Sequence, residues 1–368
     1  MKKLLLAAAV TTLSLNAAQA APTLYGKLNV SIDNVDNYDF KGNDVSEVSS
    51  HASRLGVKGE EKLTEKLSAI YQAEWAVSTD GSGSDTDWSA RNRFLGLKTE
   101  GVGALKVGNY DSYFKTAAGK YQDIFNDHTR LDMGKIMYGE ERLKNVIGFE
   151  TDKKLMGGLQ FSAMAQQGEN SASDYTTEKR DGFGDSVSTA LSYDNKNMGL
   201  ALAVAGNFGV QGDYAAYSLK DVESDAIRVT GSYNFKALGL SGLTLGGLWQ
   251  QAELSDSPSA AVLAATVDPN DDTKFLKAEA ASLEEQAWGV TATYNFNNTP
   301  WTLKGEYHTA VSTADGKDDR TIDLYGLGLD YQMNKQARMY TFVAQQKRDW
   351  VKEDDTMTAF GLGMEYNF

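Results

Sequence analysis

The chain ends on AFGLGMEYNF, residues 359–368, in which large apolar side chains alternate with small or polar ones. The apolar positions are Phe360, Leu362, Met364, Tyr366 and Phe368. Because successive side chains of a strand point to opposite faces, this segment predicts a β-strand with one apolar face. A soluble sandwich turns such a face inward and a transmembrane barrel turns it outward, so the segment alone leaves its surroundings open.

Segments with the same alternation recur from Thr23 to Phe368, and helical periodicity is nearly absent. We predict sixteen strands, near residues 23–32, 52–60, 66–78, 92–100, 103–110, 145–152, 158–167, 186–195, 199–208, 224–235, 242–253, 285–296, 300–311, 320–333, 336–347 and 357–368. Long gaps, beginning near residues 33, 79, 111, 168, 209, 254, 312 and 348, alternate with short turns. An even strand number with long loops at one rim and short turns at the other predicts an antiparallel transmembrane β-barrel.

The repeats Tyr233-Asn234-Phe235, Tyr294-Asn295-Phe296 and Tyr366-Asn367-Phe368 each end a strand that runs toward a short turn. Aromatic rings favour the membrane interface, where one edge is apolar and the other wet. The repeats therefore predict an aromatic girdle at the short-turn rim.

The first residues have the pattern of a secretory signal. Lys2 and Lys3 precede an apolar run from Leu4 to Leu15, and Ala18-Gln19-Ala20 has the small residues of a cleavage site. We expect residues 1–20 to be a signal peptide cleaved after Ala20, and residues 21–368 to form one barrel domain. With no cysteine in the chain, disulfides do not stabilise it.

Acidic residues outnumber basic ones. The precursor has 36 Lys and Arg against 50 Asp and Glu, a net charge of -14, and loss of Lys2 and Lys3 leaves 34 against 50, or -16. Without a basic run, a nucleic-acid partner is not expected. Acidic residues cluster in the predicted first and sixth long loops, where they suit either solubility or loose binding of Ca or Mg ions that bridge to lipopolysaccharide. Their positions are Asp33, Asp36, Asp39, Asp44, Glu47, Asp268, Asp271, Asp272, Glu279, Glu284 and Glu285. No other cofactor is expected.

Five short motifs occur in a fixed order: Leu24–Lys27, Ser53–Gly59, Arg91 through Gly96-Leu97, Gly108–Asp111 and the terminal Phe368. In these motifs and their spacing, the chain resembles the general trimeric porins of Gram-negative outer membranes over essentially its whole mature length. The resemblance implies a homotrimer joined near strands one to five and latched by the second loop around Thr79 to Ala90. It also implies a third loop folded into each lumen, and a terminal Phe368 that the barrel-assembly machinery reads.

In this family, basic wall residues face acidic loop residues across a constriction. The wall candidates here are Lys27, Arg54, Lys58, Arg91, Arg93 and Arg142. If Leu24, Leu28 and Val30 face lipid, strand parity turns Lys27 inward, and the same parity places Arg54 and Lys58. A charge on the lipid face at the midplane costs about 2 to 4 kcal/mol, which drives mid-strand Lys and Arg toward the lumen. Arg91 and Arg93 are expected to share one face.

The third loop, from about Asp111 to Glu141, is far longer than a hairpin requires, and such loops are usually functional or disordered. Asp123 and Asp127 match the acidic loop positions of the family best, and Asp132 is a further candidate. Glu74 lies on the inward parity of the third strand. The resemblance therefore predicts an acidic side made of Asp123, Asp127, Asp132 and Glu74.

Together these features predict a general diffusion porin that passes small hydrophilic solutes through a water-filled pore with weak cation preference. The alternative is a substrate-selective channel for sugars or anions. A row of aromatic residues along the lumen would indicate a sugar channel. A ladder of cations through most strands would indicate a phosphate channel, but the predicted inward cations concentrate in the first six strands, with Arg228 isolated later. No enzyme is expected, because His51, His128 and His308 lie in no nucleophile or metal-ligand motif.

Overall fold

The computed structural model describes residues 22–81, 88–169, 182–255, 267–268, 271–275, 282–315 and 317–368. The predicted signal peptide and residues 82–87 of the predicted second-loop latch lie outside these ranges. No helix among the described residues has both the length and the apolar character needed to cross a membrane.

Nearly all of the regular structure is β. The strands are β1 Thr23–Asp36, β2 Val45–Ser50, β3 Arg54–Lys62, β4 Leu67–Val77, β5 Trp88–Thr99, β6 Gly103–Asp111, β7 Arg142–Thr151, β8 Leu159–Gln167, β9 Phe183–Asn195, β10 Leu200–Tyr214, β11 Leu219–Asn234, β12 Leu243–Leu254, β13 Val267–Asp268, β14 Asp271–Phe275, β15 Leu283–Asn295, β16 Trp301–Ala314, β17 Arg320–Gln332, β18 Ala337–Arg348 and β19 Thr356–Asn367. Short helical turns span Phe114–Ala118, Gly119–Tyr121, Met133–Lys135, Ala215–Tyr217 and Phe235–Leu238.

The strands close into one antiparallel barrel. The last strand pairs with the first, from Lys27 opposite Asn367 to Asp36 opposite Thr358. Strand β1 pairs with β2 along its upper half and with β3 along its lower half, so β2 and β3 share one position in the barrel. The hairpin β13–β14 lies apart from the barrel sheet. The predicted sixteen-stranded antiparallel barrel is confirmed.

The loop predicted to begin near Gly209 is much shorter than expected. Strand β10 continues to Tyr214 and β11 begins at Leu219. A register shift between Asn207 and Val210 interrupts the alternation, and Gly209 has a positive φ of 62°. In the sequence this bulge resembles the end of a strand. The strand in fact continues, and the inward side chains of Val210 and Tyr214 beyond the bulge are fully buried.

The outer wall is apolar, as the alternation predicts. Leu24 and Ile32 of β1 are 61% and 62% exposed, whereas Asn29 and Asp33 on the other face are buried. At the short-turn rim, Tyr294 contacts Phe296 with ring centroids 5.0 Å apart, and both rings are exposed. An exposed apolar belt that ends in aromatic rings fits lipid outside and water inside.

The third loop, residues 112–141, lies inside the barrel. Its side chains Phe114, Ile136 and Tyr138 are buried in one hydrophobic cluster with Val210 and Tyr214 of β10. Tyr138 lies over Gly212, where an added Cβ would collide with its ring. The loop thus lines one side of the wall and leaves an open space on the other side.

The candidate pore constriction

A cavity of about 420 Å³ lies between the third loop and the wall formed by β1, β3, β4 and β5. Four basic and four acidic side chains line it: Lys27, Arg54, Arg91 and Lys115, with Glu74, Asp111, Asp123 and Asp127. The structure thus brings six predicted residues together and adds Lys115 and Asp111. The formal charges of this lining cancel.

The wall side of the cavity is built around Glu74. Arg91 Nε donates to Glu74 Oε1 over 2.8 Å, and Arg54 Nε lies 4.0 Å from Glu74 Oε2. Tyr25 donates its hydroxyl hydrogen to Glu74 Oε2 over 2.9 Å. Glu74 was predicted on the acidic side of the pore, but it lies on the basic wall, where it holds the two arginines in place.

Arg91 points inward because of a β-bulge. Ala73 pairs with Arg93 and Trp75 pairs with Ala90, so Glu74 alone faces two residues of β5, Arg91 and Asn92. After the bulge the parity of the strand is reversed.

The prediction that Arg93 shares the inner face with Arg91 is therefore wrong. Arg93 is exposed and has the parity of Leu95 and Leu97, which are exposed on the outer wall. The alternation rule fails here because one extra residue in a strand turns every later side chain to the opposite face.

The acidic side of the cavity comes from the tip of the third loop. Asp127 Oδ2 lies 3.3 Å from Arg54 Nη1 across the cavity. Both carboxylate oxygens of Asp123 accept from the backbone N–H of Asp127, over 2.9 and 3.0 Å. Asn126 and Asp127 have φ values of 62° and 57°, so the Asp123 carboxylate stabilises a strained turn.

These two neighbouring carboxyls differ in acidity. Burial, reinforced by the negative charge of Asp127, raises the pKa of Asp123 to about 7. Burial also acts against ionisation of Asp127, but the positive charges of Lys115, Lys27 and Arg54 outweigh it and hold the pKa of Asp127 below its usual range. Near neutral pH, Asp127 is therefore ionised while Asp123 titrates.

Lys27 lines the cavity and also holds the loop tip. Its side chain is 2% exposed, and Nζ donates to the backbone oxygen of Asn126 over 3.0 Å. The Asn126 amide donates to Glu365 Oε2 over 2.7 Å. Because β1 and β19 meet at the barrel closure, these bonds fasten the tip across the seam. Sequence reasoning missed Asn126 and Glu365.

Two further wall candidates face inward but do not line the cavity. Lys58 Nζ lies 4.6 Å from the centre of the Tyr25 ring. Arg142 Nη2 lies 2.8 Å from Asp111 Oδ1, and its Nε donates to Asn92 over 2.8 Å. Arg142 therefore joins the two ends of the third loop beside the cavity.

Asp132 was predicted on the acidic side, and the structure contradicts this placement. It lies outside the cavity, where its carboxylate accepts from the backbone N–H of Gly134 over 2.8 Å. Asp132 therefore caps the turn Met133–Lys135, whose free N–H groups favour an acidic side chain at this position.

Inward cations are also more widespread than predicted. Arg228 Nη1 lies 2.6 Å from Glu140 Oε1 of the third loop. On the later strands, Lys304 lies 2.7 Å from Asp330, and Arg338 Nη2 lies 2.9 Å from Glu365 Oε2. The expectation that Arg228 is isolated is wrong, but each of these cations is paired with a carboxylate.

The three histidines are buried. His51 and His128 stack with ring centroids 3.7 Å apart, and His308 lies beside Glu306 on β16. Among the described residues, no group of three or more His, Asp or Glu side chains is arranged to hold a metal ion. In the predicted acidic loops, Asp33 and Glu285 are fully buried in the barrel rather than exposed.

A closed barrel with an apolar outer face, narrowed by an internal loop that sets carboxylates against arginines, defines a water-filled channel of the outer-membrane type. The family model for the Gram-negative porin matches residues 5–350, and the chain belongs to this family. It is an outer-membrane porin, as its motifs predict.

Known proteins agree with this assignment. The chain is 25% identical over 374 residues to the major outer membrane protein P.IB of Neisseria meningitidis serogroup A, covering 100% of both chains. An anion-selective porin from Comamonas acidovorans has the same fold, with a TM-score of 0.69, 18% identity and coverage of 95% of this chain and 100% of that one. OmpT of Vibrio cholerae in a trimer form gives a TM-score of 0.63 at 17% identity, covering 95% and 99%.

Proposed function

We propose that this porin is a general diffusion channel, in which small hydrophilic solutes pass a constriction whose charges are nearly balanced. The observation that carries this proposal is the cavity lining, where four basic side chains stand against four acidic ones. Asp127 and Arg54 face each other directly across the gap.

Opposed charges across a narrow aqueous gap create a transverse field. Such a field orients water and dipolar solutes and penalises apolar ones, without binding any of them tightly. Because the formal charges cancel, anions and cations both pass. The acidic balance of the whole chain adds the weak preference for cations.

A substrate-selective channel has less support. Tyr25 is the one aromatic residue of the described cavity lining, so no aromatic file leads a sugar through it. Arg228, Lys304 and Arg338 are paired with Glu140, Asp330 and Glu365, so these three cations do not form a free ladder for phosphate. We assign no enzymatic activity, since the histidines are buried and the family is one of channels.

Liposome swelling tests this proposal. Proteoliposomes are diluted into isosmotic pentose, hexose, disaccharide or amino-acid solutions, and the initial swelling rates are compared. We expect rates to fall smoothly with solute size and to depend little on solute class. A solute that enters much faster than others of its size, with saturation at millimolar concentration, would show a selective channel instead.

We also propose that the porin is a homotrimer joined through the outer wall of the early strands. Arg93 supports this, because it lies on the outer wall beside Leu95, where a lipid-facing charge costs up to about 2 to 4 kcal/mol at the midplane. A neighbouring protomer would supply polar partners.

Unheated gel electrophoresis with chemical cross-linking tests the interface. We expect a heat-labile trimer that Arg93→Glu weakens, whereas Lys144→Glu, an exposed change on β7, does not. A folded wild-type barrel that runs as a monomer would refute the trimer. An Arg93→Glu trimer as heat-stable as the wild type would refute this interface.

A further inference from the structure

A second cavity, of about 300 Å³, lies on the long-loop side of the third loop. The first loop, the third loop and strands β17 to β19 enclose it. Its apolar lining consists of Phe40, Ile136, Leu324 and Met357, and Arg348 stands among these residues. The constriction does not use this cavity, since the two linings share no residue.

The Arg348 side chain lies against two aromatic rings. Its guanidinium carbon lies 4.2 Å from the centre of the Phe40 ring and 5.8 Å from that of Trp350. Its Nε is buried and unbonded. Within the described parts of the chain, the side chain makes no hydrogen bond and lies within 4.0 Å of no carboxylate, although a guanidinium has five N–H donors.

Three of the other charged residues of the cavity have hydrogen-bond or ion-pair partners. Arg130 is paired with Glu47 of the first loop. Asp132 caps the turn at Gly134, and Asp39 accepts from the backbone N–H of Lys41 over 3.1 Å. Lys135 lines the cavity but is exposed to solvent. Arg348 is therefore the half-buried charged side chain of this lining that has no hydrogen-bond or ion-pair partner among the described residues.

A half-buried cation without a partner is unfavourable, and an anion that reaches it relieves the cost. The planar guanidinium fork matches a carboxylate, sulfonate or phosphate and binds it through two parallel hydrogen bonds. The apolar lining beside it suits a hydrocarbon group on the same molecule. A bare inorganic anion would leave that lining unused.

We propose that this cavity is a weak binding site for small organic anions that carry an apolar or aromatic group, with Arg348 holding the anionic end. Such solutes collect at the long-loop mouth before they enter the constriction. This inference goes beyond the proposed diffusion function, which does not require such a site.

Single-channel recording with benzenesulfonate tests the site. Its charge does not change with pH, and methanesulfonate has the same headgroup without the ring. We expect benzenesulfonate on the long-loop side to produce saturable, brief blockages in the wild type. In Arg348→Gln the half-blocking concentration should rise at least tenfold, and Arg348→Lys, which keeps the charge without the fork, should fall in between.

Lys352→Gln is the matched control, because it removes one positive charge, as Arg348→Gln does, from an exposed position on the same loop as Trp350. Its blockage should equal that of the wild type. Three results would each overturn the proposal: methanesulfonate blocks as well as benzenesulfonate, Lys352→Gln weakens blockage as much as Arg348→Gln does, or Arg348→Gln is blocked like the wild type. Open channels without benzenesulfonate blockage would reject the site alone, whereas the absence of channels would reject the diffusion function.

Discussion

Replacing Arg54 and Arg91 with serine should make the pore more conductive and more cation-preferring. Both arginines line the cavity, and their removal changes its formal lining from four basic and four acidic groups to two and four. Asp127 loses its partner across the gap and Glu74 keeps only the Tyr25 hydroxyl. The gap widens as two long side chains disappear, and its net charge becomes negative.

The size of the effect follows from Coulomb's law. Two unit charges about 7 Å from a permeant ion act on it with roughly 1.2 kcal/mol in water, and screening at 0.1 M salt reduces this to about 0.6 kcal/mol. Because cation and anion respond with opposite signs, the permeability ratio of K⁺ to Cl⁻ should rise roughly sevenfold. At 1 M salt, where the Debye length is about 3 Å, the same estimate gives less than about twofold.

Reversal potentials in KCl gradients, centred on 0.1 M and on 1 M, measure this ratio, and single-channel currents measure the conductance. Lys62→Ser with Lys98→Ser is the matched control, because it removes two positive charges at the short-turn rim. Heat-modifiability on gels checks that each variant is folded. If the reversal potential of the Arg54 and Arg91 variant equals that of the control, these arginines do not set the field of the constriction.

Three further predictions concern the loop tip and the chain end. Below pH 7 Asp123 takes up a proton and the constriction loses a negative charge. Between pH 8 and pH 6 the reversal potential should therefore shift toward greater anion permeability, and the same shift in Asp123→Asn would contradict this. Asn126→Gly keeps the positive φ but loses the hydrogen bond to Glu365, and a hydrogen bond to a charged partner contributes about 1.5 to 3 kcal/mol. The loop tip should therefore move more, and open-channel current noise should rise, whereas an Asn43→Gly control should leave the noise unchanged. Deleting Phe368, whose backbone pairs with Gly26 at the barrel seam, should lower the amount of porin in outer-membrane fractions, and normal amounts would refute an assembly role.

The strands were predictable because each has two contrasting faces, and period-two alternation records that contrast directly. The predictions fail where one residue shifts the period. The bulge opposite Glu74 turns Arg91 inward and leaves Arg93 outward, and the bulge at Gly209 interrupts the alternation before β10 ends. A bulge has a weak signature in sequence, because the extra residue is defined only by its mismatch with the neighbouring strand, where it is left unpaired.

The constriction was predictable in part. Parity placed Lys27 and Arg54 correctly, and the resemblance located Asp123 and Asp127 on the loop. Asp132 was misplaced because a carboxylate three residues before Lys135 reads equally well as a pore group or as a turn cap. The bond between Asn126 and Glu365 joins residues 239 positions apart, and no local pattern indicates such a pair.

The burial of Phe114, Ile136 and Tyr138 against the wall has a consequence for engineering and for evolution. The lumen of a porin is ordinarily polar and water-filled, yet here part of it is packed like the inside of a soluble domain. Shortening the third loop to widen the pore would therefore also remove the apolar contacts between the loop and the barrel wall. Pore size is free to vary mainly at the loop side chains that line the cavity, Lys115, Asp123, Asn126 and Asp127, while the apolar side chains are constrained to keep their fit.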